Sequence, residues 1–516
     1  MKKYILKAIS TSALIVFAFV LTGCGDLLDQ APQGQWTEDD NKGGSYQTDI
    51  FTLYAKMRGF NVTSGSPALA IHNFRSEDVE TGTTASDGSL QRPMYDDFEY
   101  NASNGLIQSY YASNFDMIHI VNRVLDKMNT AEKNGETLTE GDIICRGEAH
   151  FFRAFAYFNL VRAFGEVPYI DFKIEDAAEA ILPKSPASKI YELIDKDLTE
   201  AENSLPPMWE SRFVGRLTWG AAKSLHAKTY LMRNDWANTY SSAMEVINSN
   251  IYNLDTPYDQ IFRETGENCS ESILELQCTA TSALPGSNDI GSQFCQVQGV
   301  RGAGDWNMGW GWHTPTQLLA DAFEPGDPRK DETLLYFVKT GEDPATIPAN
   351  KPWGEKPVAN GDVLNKYYNK KAYTNPALRT LYTKGGFWFN IRLIRLSDVI
   401  LMAAESANEM GGKADEAIEL LERVRARARA GNSAILPKVT TTDQVAFRNA
   451  VRHERRVELG MEWDRFYDLV RWGTAQQVLH AAGKTNYQNR HALLPLPQAE
   501  IDKSNGVLVQ NPNYSN

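Results

Sequence analysis

Two stretches of the chain are written to one plan. Residues 220–249, "GAAKSLHAKTYLMRNDWANTYSSAMEVINS", and 396–428, "LSDVILMAAESANEMGGKADEAIELLERVRARA", each read as a helix with small residues on one face, a short break, then a second helix. The breaks are Asn234-Asp235 and Gly411-Gly412, residue types that stop helices. In the second unit Ile418, Leu421 and Val424 recur at i, i+3 and i+6, with Ala414 and Ala417 one turn earlier, the period of a helix with one buried face. Small residues at the seam let paired helices approach closely. Helix–turn–helix units of about 34 residues mark tetratricopeptide repeats, and the same pattern fits any helical hairpin. The fold class expected is mainly α, a tetratricopeptide-like scaffold.

Further helices extend the scaffold. Leu106 to Met128 precedes "CRGEAHFFRAFAYFNLVRAFGEVPYI", Cys145 to Ile170, in which Phe151, Phe155 and Phe158 form one stripe and Phe152, Ala156 and Leu160 its neighbour. Gly165 and Pro168 end that helix. Ile190 to Leu205 turns Leu193, Ile194, Leu198 and Ala201 inward and closes on Pro206-Pro207. From Tyr252 to Gly386 the text changes: Gly, Pro, Asn and aromatic residues dominate and long helical periodicity is scarce. A stretch that long needs some structure of its own. The organisation expected is an N-terminal helical scaffold over 24–250, a loop-rich, mixed ligand-binding region inserted at 251–390, and a C-terminal helical scaffold over 391–516. Loops on a rigid scaffold are where binding concentrates.

The first residues are a leader. Lys2, Lys3 and Lys7 form a basic head, Ala8 to Leu21 is apolar apart from Ser10, Thr11 and Ser12, and no acid precedes Asp26. That is a secretory signal peptide over residues 1–23, too short to span a bilayer. "LTGC", Leu21 to Cys24, resembles the bacterial lipoprotein signal, in which the cysteine becomes the acylated first residue; a plain secreted protein with a chance cysteine is the alternative.

The leader holds three of the 52 basic residues and none of the 65 acidic ones, so the remainder carries 49 against 65, a net charge of −16. Such a chain is a poor partner for nucleic acid, whose phosphates require Lys and Arg. Cys145, Cys269, Cys278 and Cys295 are too few for a disulfide framework; Cys269 and Cys278 are near enough in sequence to pair, without any sign that they do. No metal site and no cofactor motif is apparent. His453-Glu454 begins like a zinc-protease helix, but Val457 stands where the second histidine belongs. Arg452, Arg455, Arg456, Glu458, Glu462 and Asp464 read as salt-bridged surface or packing, and no nucleophile elbow or Walker loop occurs. Asp96, Asp97 and Glu99 could form a carboxylate pair for sugar hydrolysis, as any acidic loop could. The expectation is a protein that is not an enzyme.

Six stretches in order carry a resemblance: "CGDLLDQAPQ" after the leader, "RGEAHFFRAFAYFNLVRAFGEVPYI", "TPTQLLADAFEPGDPR" (Thr314 to Arg329), "HERRVELGMEWDRFYDLVRWG", "LLPLPQAEID" and the closing "QNPNY". The chain resembles the SusD/RagB family of surface lipoproteins of Bacteroidetes nutrient-uptake systems. The resemblance implies a helical scaffold of tetratricopeptide-like pairs with a variable loop-rich region. It also implies capture of a nutrient, usually a glycan, and delivery to a SusC-like TonB-dependent transporter in the outer membrane. It places the protein outside the cell, anchored to the outer membrane through a lipid on Cys24. A surface glycoside hydrolase accessory and an oligopeptide-binding member of the same group are the other readings.

Two patches are candidates for the ligand. "GAGDWNMGWGWHTPTQ" sets Trp306, Trp310 and Trp312 within seven residues, flanked by glycines, with Arg301, Asp305, Asn307 and His313 at hand. Flat aromatic faces stack on the C–H faces of sugars, and polar neighbours bond the hydroxyls. Trp306 lies farthest from the family stretch and is expected to be the least structural of the three. "RPMYDDFEYNASNG", Arg92 to Gly105, is the region in which the resemblance implies an aromatic and an asparagine; Tyr95, Phe98, Tyr100 and Asn101 are the residues available.

Overall fold

The computed structural model describes residues 44–82, 87, 93–337 and 363–514; the leader and Cys24 lie outside the described residues. The scaffold consists of α1 (Gln47–Arg58), α2 (Gly105–Lys133), α3 (Glu140–Phe164), α4 (Ala187–Ser204), α5 (Trp219–Met232), α6 (Trp236–Asn248), α7 (Leu396–Met410), α8 (Ala414–Arg429), α9 (Gln444–Glu458) and α10 (Arg465–Arg471). From α2 to α6 each helix packs on the next in chain order. Helix α6 then packs on α7, and α7 on α8 and α9, so the hairpin array continues across the insertion as though the intervening chain were absent.

Local chemistry sets the boundaries. Thr139 Oγ1 accepts from the Asp142 N–H, and Asp142 Oδ2 accepts from the Thr139 N–H, a reciprocal cap that starts α3 five residues before Cys145. Gly165, at φ 73°, ends it. Between α2 and α4, α3 is buried on almost every side, which is why both of its phenylalanine stripes face protein. The α5–α6 turn uses Asn234 at φ 56°, and Asp235 caps α6 by accepting from the Asn238 N–H. The α7–α8 turn uses Gly411 and Gly412, both at φ 73°. Cys269 and Cys278 are both free thiols.

The strands in and around the insertion are short: β1 (Val79–Glu80), β2 (Ser272–Leu276), β3 (Thr314–Pro315), β4 (Leu334–Tyr336), β5 (Tyr367–Asn369) and β6 (Ile391–Arg395). β2 pairs antiparallel with β6, Leu276 opposite Ile391, and β6 runs directly into α7. β1 pairs with β3, which ties the segment before α2 to the insertion. One apolar cluster takes residues from the scaffold helices and from β2 and β6 alike. Among the described residues no helix is long and apolar enough to cross a membrane.

A buried ionic network joins insertion to scaffold. Arg329 contacts Asp327, Glu454 and Glu458 at 2.8, 2.5 and 3.1 Å. Arg395, at the end of β6, contacts Glu271, Glu458 and Glu462. Arg427 bridges Glu271 to Glu458. Beneath them Arg455 holds Asp398 and Asp468, and Lys228 holds Asp398 and Asp464. Most of the charged residues of "HERRVELGMEWDR" are therefore interior packing rather than surface. Charges this deep persist only when paired and hydrogen-bonded.

Candidate functional site

The tryptophan loop is shaped by its glycines. Gly309 lies against Gly299: a Cβ on Gly309 would fall 2.2 Å from the Gln296 carbonyl oxygen and 2.8 Å from Gly299 Cα. A Cβ on Gly311 would fall 2.6 Å from Arg301 Cβ. The glycines allow backbone to pack on backbone, so the loop is held tightly and does not stand free in solvent. The N–H groups of Trp310 and Trp312 donate to the carbonyls of Gln296 and Val297 at 2.8 and 3.0 Å.

This packing separates the three tryptophans. Trp306 is 6% exposed, with Phe337 edge-on at 5.0 Å and Tyr373 stacked at 6.2 Å. It belongs to a small core with Val300, Met308, Leu335 and Tyr368. The expectation that Trp306 is the least structural of the three is corrected, because its ring is the centre of a satellite core and offers no face to a ligand. Trp310 and Trp312 remain half-buried, with centroids 4.7 Å apart and planes inclined at 52°. Phe60, also half-buried, has its ring 6.4 Å from that of Trp310. Gln296, whose backbone carbonyl receives the Trp310 N–H, has its side-chain amide joined to that of Gln293 by a 2.8 Å hydrogen bond. Phe60 comes from the segment before α2 and was not singled out in the sequence; the glycine-flanked "GFNVTSG" was the available signal.

The polar neighbours divide similarly. Asn307 is exposed and forms a backbone bridge with Arg301, whose guanidinium is partly exposed and paired with Asp87. Asp305 lies in the Gly304–Trp306 turn, and its side chain is outside what is described. His313 is buried, its ring between Asn73 Nδ2 at 2.9 Å and Gln298 Oε1 at 2.6 Å. Burial pushes its pKa down to about 3, so it is a neutral structural link and not a ligand-facing group.

Comparison with known proteins sets this geometry in context. Residues 270–514 match the family model described as "SusD family", and residues 45–231 match one described as "Starch-binding associating with outer membrane". The chain belongs to the SusD family. A SusD-like protein P2 of Formosa agariphila is 26% identical over 541 residues, covering all of both chains. A SusD-like protein of Bacteroides ovatus is 22% identical, covering 90% of this chain and 82% of that one. Among solved structures, a laminarin-binding SusD-like protein is 26% identical with a TM-score of 0.71, covering 90% of this chain and 98% of that chain. Surface glycan-binding protein A from Bacteroides thetaiotaomicron, solved with laminarihexaose, has the same fold at TM-score 0.71 and 22% identity, with the same coverage.

In this SusD-family chain the second patch proves to be core. Tyr95, Phe98 and Tyr100 are all buried. Tyr95 and Tyr100 stack at 5.0 Å, Phe98 packs on Tyr487 and His491, and the Tyr95 hydroxyl donates to Asn104. These three are corrected from candidate ligand contacts to a wall that the C-terminal segment closes. Asn101 is exposed, and its side-chain oxygen accepts from the Ser103 N–H in the turn before α2. Asp96 accepts from the Thr81 N–H and hydroxyl and pairs with Lys484, so it is committed to structure; Asp97 faces solvent. Among the described residues no group of His, Cys, Asp or Glu could hold a metal ion.

Proposed function

We propose that this protein is a cell-surface lipoprotein that binds an oligosaccharide and delivers it to a SusC-like TonB-dependent transporter in the outer membrane. The observation that carries the reading is the Trp310–Trp312 pair with Phe60, three half-buried rings in a segment whose backbone is bonded to Gln296, which pairs its amide with Gln293. Aromatic faces take the C–H side of a sugar ring, and neutral amides supply paired donors and acceptors for its hydroxyls. The laminarin-binding and laminarihexaose-bound neighbours support a glycan as the ligand class. The leader ending just before Cys24 and the outer-membrane wording of the matching family support the location. Asp305, Asn307 and Asn101 stay as candidate polar contacts at loop edges. The protein is proposed to act by binding alone, without cofactor and without cleaving its ligand.

The experiment is a glycan array with a parallel peptide panel on the lipid-free protein, with laminarihexaose as the first defined probe. Binding to one glycan class, with no new reducing ends on long incubation, is the result expected. Binding confined to peptides, or turnover of the bound glycan, overturns the proposal.

A further inference from the structure

A groove on the C-terminal scaffold shares no residue with the tryptophan patch. It offers about 530 Å³ between α9, α10 and the helix that follows (Ala475–Ala481), within the usual range for small-ligand pockets. One wall is apolar, formed by Leu318, Val478 and Ala482, with Leu318 exposed. The rim is polar and uncharged: Asn449, Thr474 and Gln477.

The floor carries more cation than anion. Arg456 is answered by Asp78 at 2.5 Å and Arg465 by Glu77 at 2.5 Å. The third guanidinium, Arg452, makes no hydrogen bond and no ion pair within 4.0 Å among the described residues, although Glu405 and Glu409 act on it from farther away. Its Nε is shielded from solvent without a partner. It lies over the Trp472 ring at 4.7 Å from the centroid, while Arg471 and Arg465 flank the same ring at 4.9 and 5.7 Å. The Trp472 indole N–H is committed to Glu405, which fixes the ring. Partial burial pushes the Arg452 pKa down, because lost water and the neighbouring Arg471 and Arg448 outweigh the pull of Glu405 and Glu409. Leaving a guanidinium half-desolvated is costly unless something fills the site. A guanidinium held over a fixed indole keeps its place with N–H groups still free to meet an oxyanion. In a chain of net charge −13 such an excess of guanidinium is unusual.

We infer that the Arg452–Trp472 groove is a second saccharide-binding site, taking a sugar that carries a carboxylate or a sulfate. Arg452 receives the anion bidentately. The Leu318–Val478–Ala482 wall receives the C–H face of the ring, and Asn449, Thr474 and Gln477 bond its hydroxyls. The sugar part of this assignment rests on the glycan reading above; the requirement for an anion rests on Arg452.

Calorimetric titration tests both parts. Wild type is titrated with trigalacturonate, with glucose 6-sulfate, with neutral maltotriose and with tri-aspartate. Binding of either acidic sugar, weakening as salt is raised, with maltotriose and tri-aspartate at least about tenfold weaker, is expected. The uronate and sulfate arms tell which anion the groove prefers. Arg452→Gln, folded by circular dichroism, should lose about tenfold or more in affinity for the acidic sugar. Asn449→Glu, which sets a carboxylate at the exposed rim without removing packing, should lose a similar amount. Trp310→Ala should leave this binding unchanged, which separates failure here from failure of the tryptophan patch. Failure of wild type to bind either acidic sugar, binding of maltotriose as tight, tri-aspartate in place of the sugars, or wild-type affinity in both groove variants overturns the inference.

Discussion

Arg395 and Glu458 lie 63 positions apart in sequence, yet Arg395 Nη1 stands 3.0 Å from Glu458 Oε1, with both side chains withdrawn from water. The pair fastens the end of β6, where the insertion returns, to the end of α9. Glu458 also receives Arg329 and Arg427, so one carboxylate answers three guanidiniums from three segments.

Removing that carboxylate should be severe. Glu458→Ala leaves three buried guanidiniums short of charge, and loss of one partner of a buried pair costs about 3–5 kcal/mol. The exposed pair Lys56–Asp116, 2.6 Å apart, should cost under about 1 kcal/mol when Asp116 becomes Ala. Urea midpoints of the two variants measure the contrast. Equal small losses would show that the network does not hold insertion and scaffold together.

Acid sensitivity follows from buried histidines and carboxylates. Burial lowers His313 to about 3 and, with Arg490 and Arg75, His491 to about 4, so the unfolded chain binds more protons below pH 6.5. Their contribution is complete above 6.5 and is lost as pH falls toward those values, at up to about 1.4 kcal/mol per unit for each. Glu267, raised by burial to about 7, runs the opposite way over the same range, so the informative quantity is a difference. His313→Gln should flatten the fall between pH 6.5 and 4 relative to wild type; an unchanged slope would refute the assignment. Below the ordinary carboxylate values of 4.5 and 3.8, a second loss comes from Glu458 and Asp464. Burial alone would raise them, but Arg427, Arg395 and Arg329 around Glu458, and Lys228, Arg162 and Arg455 around Asp464, hold both well below those values.

The tryptophans should behave as two kinds of residue. Trp310→Ala or Trp312→Ala should weaken glycan binding by about 5- to 150-fold, the loss of a stacking ring worth about 1–3 kcal/mol, with little change in melting temperature. Trp306→Ala should cost about 3–5 kcal/mol of stability by opening a cavity between Phe337 and Tyr373. Titration and thermal melts on the same samples decide. Wild-type binding in both Trp310 and Trp312 variants would place the site elsewhere.

The anchor is tested on cells. Cys24→Ala should free the protein from the membrane fraction, while protease added to intact cells should digest the wild type. A complex with the transporter should survive mild detergent, since permanent interfaces bury on the order of 2,000 Å² or more. Full protection of the wild type from protease would exclude the surface location.

Much of the scaffold was legible from residue order alone. Alanines at the seams, Gly411-Gly412, Asn234-Asp235 and Gly165 are local signals, because capping and left-handed turns are satisfied within a few residues. The six stretches that mark the family were legible for the same reason, being contiguous. What only the tertiary structure decided depends on distant chain. Glycine-rich flanks suggested a free loop at Trp306, but Gly299 and Gly309 are small so that two backbones can touch, and Phe337 and Tyr373 arrive from elsewhere to bury the ring. Tyr95, Phe98 and Tyr100 became core because Tyr487 and His491 close over them. The charges of "HERRVELGMEWDR" look like a solvated helix face until Arg329, Arg395 and Arg427 come in from other segments to meet them. Arg452, just before that run, lines the same groove as Arg456 and Arg465 but without their close carboxylate partners, and no spacing within the helix distinguishes it. Burial and pairing are properties of neighbours in space, and a linear sequence names only neighbours in order.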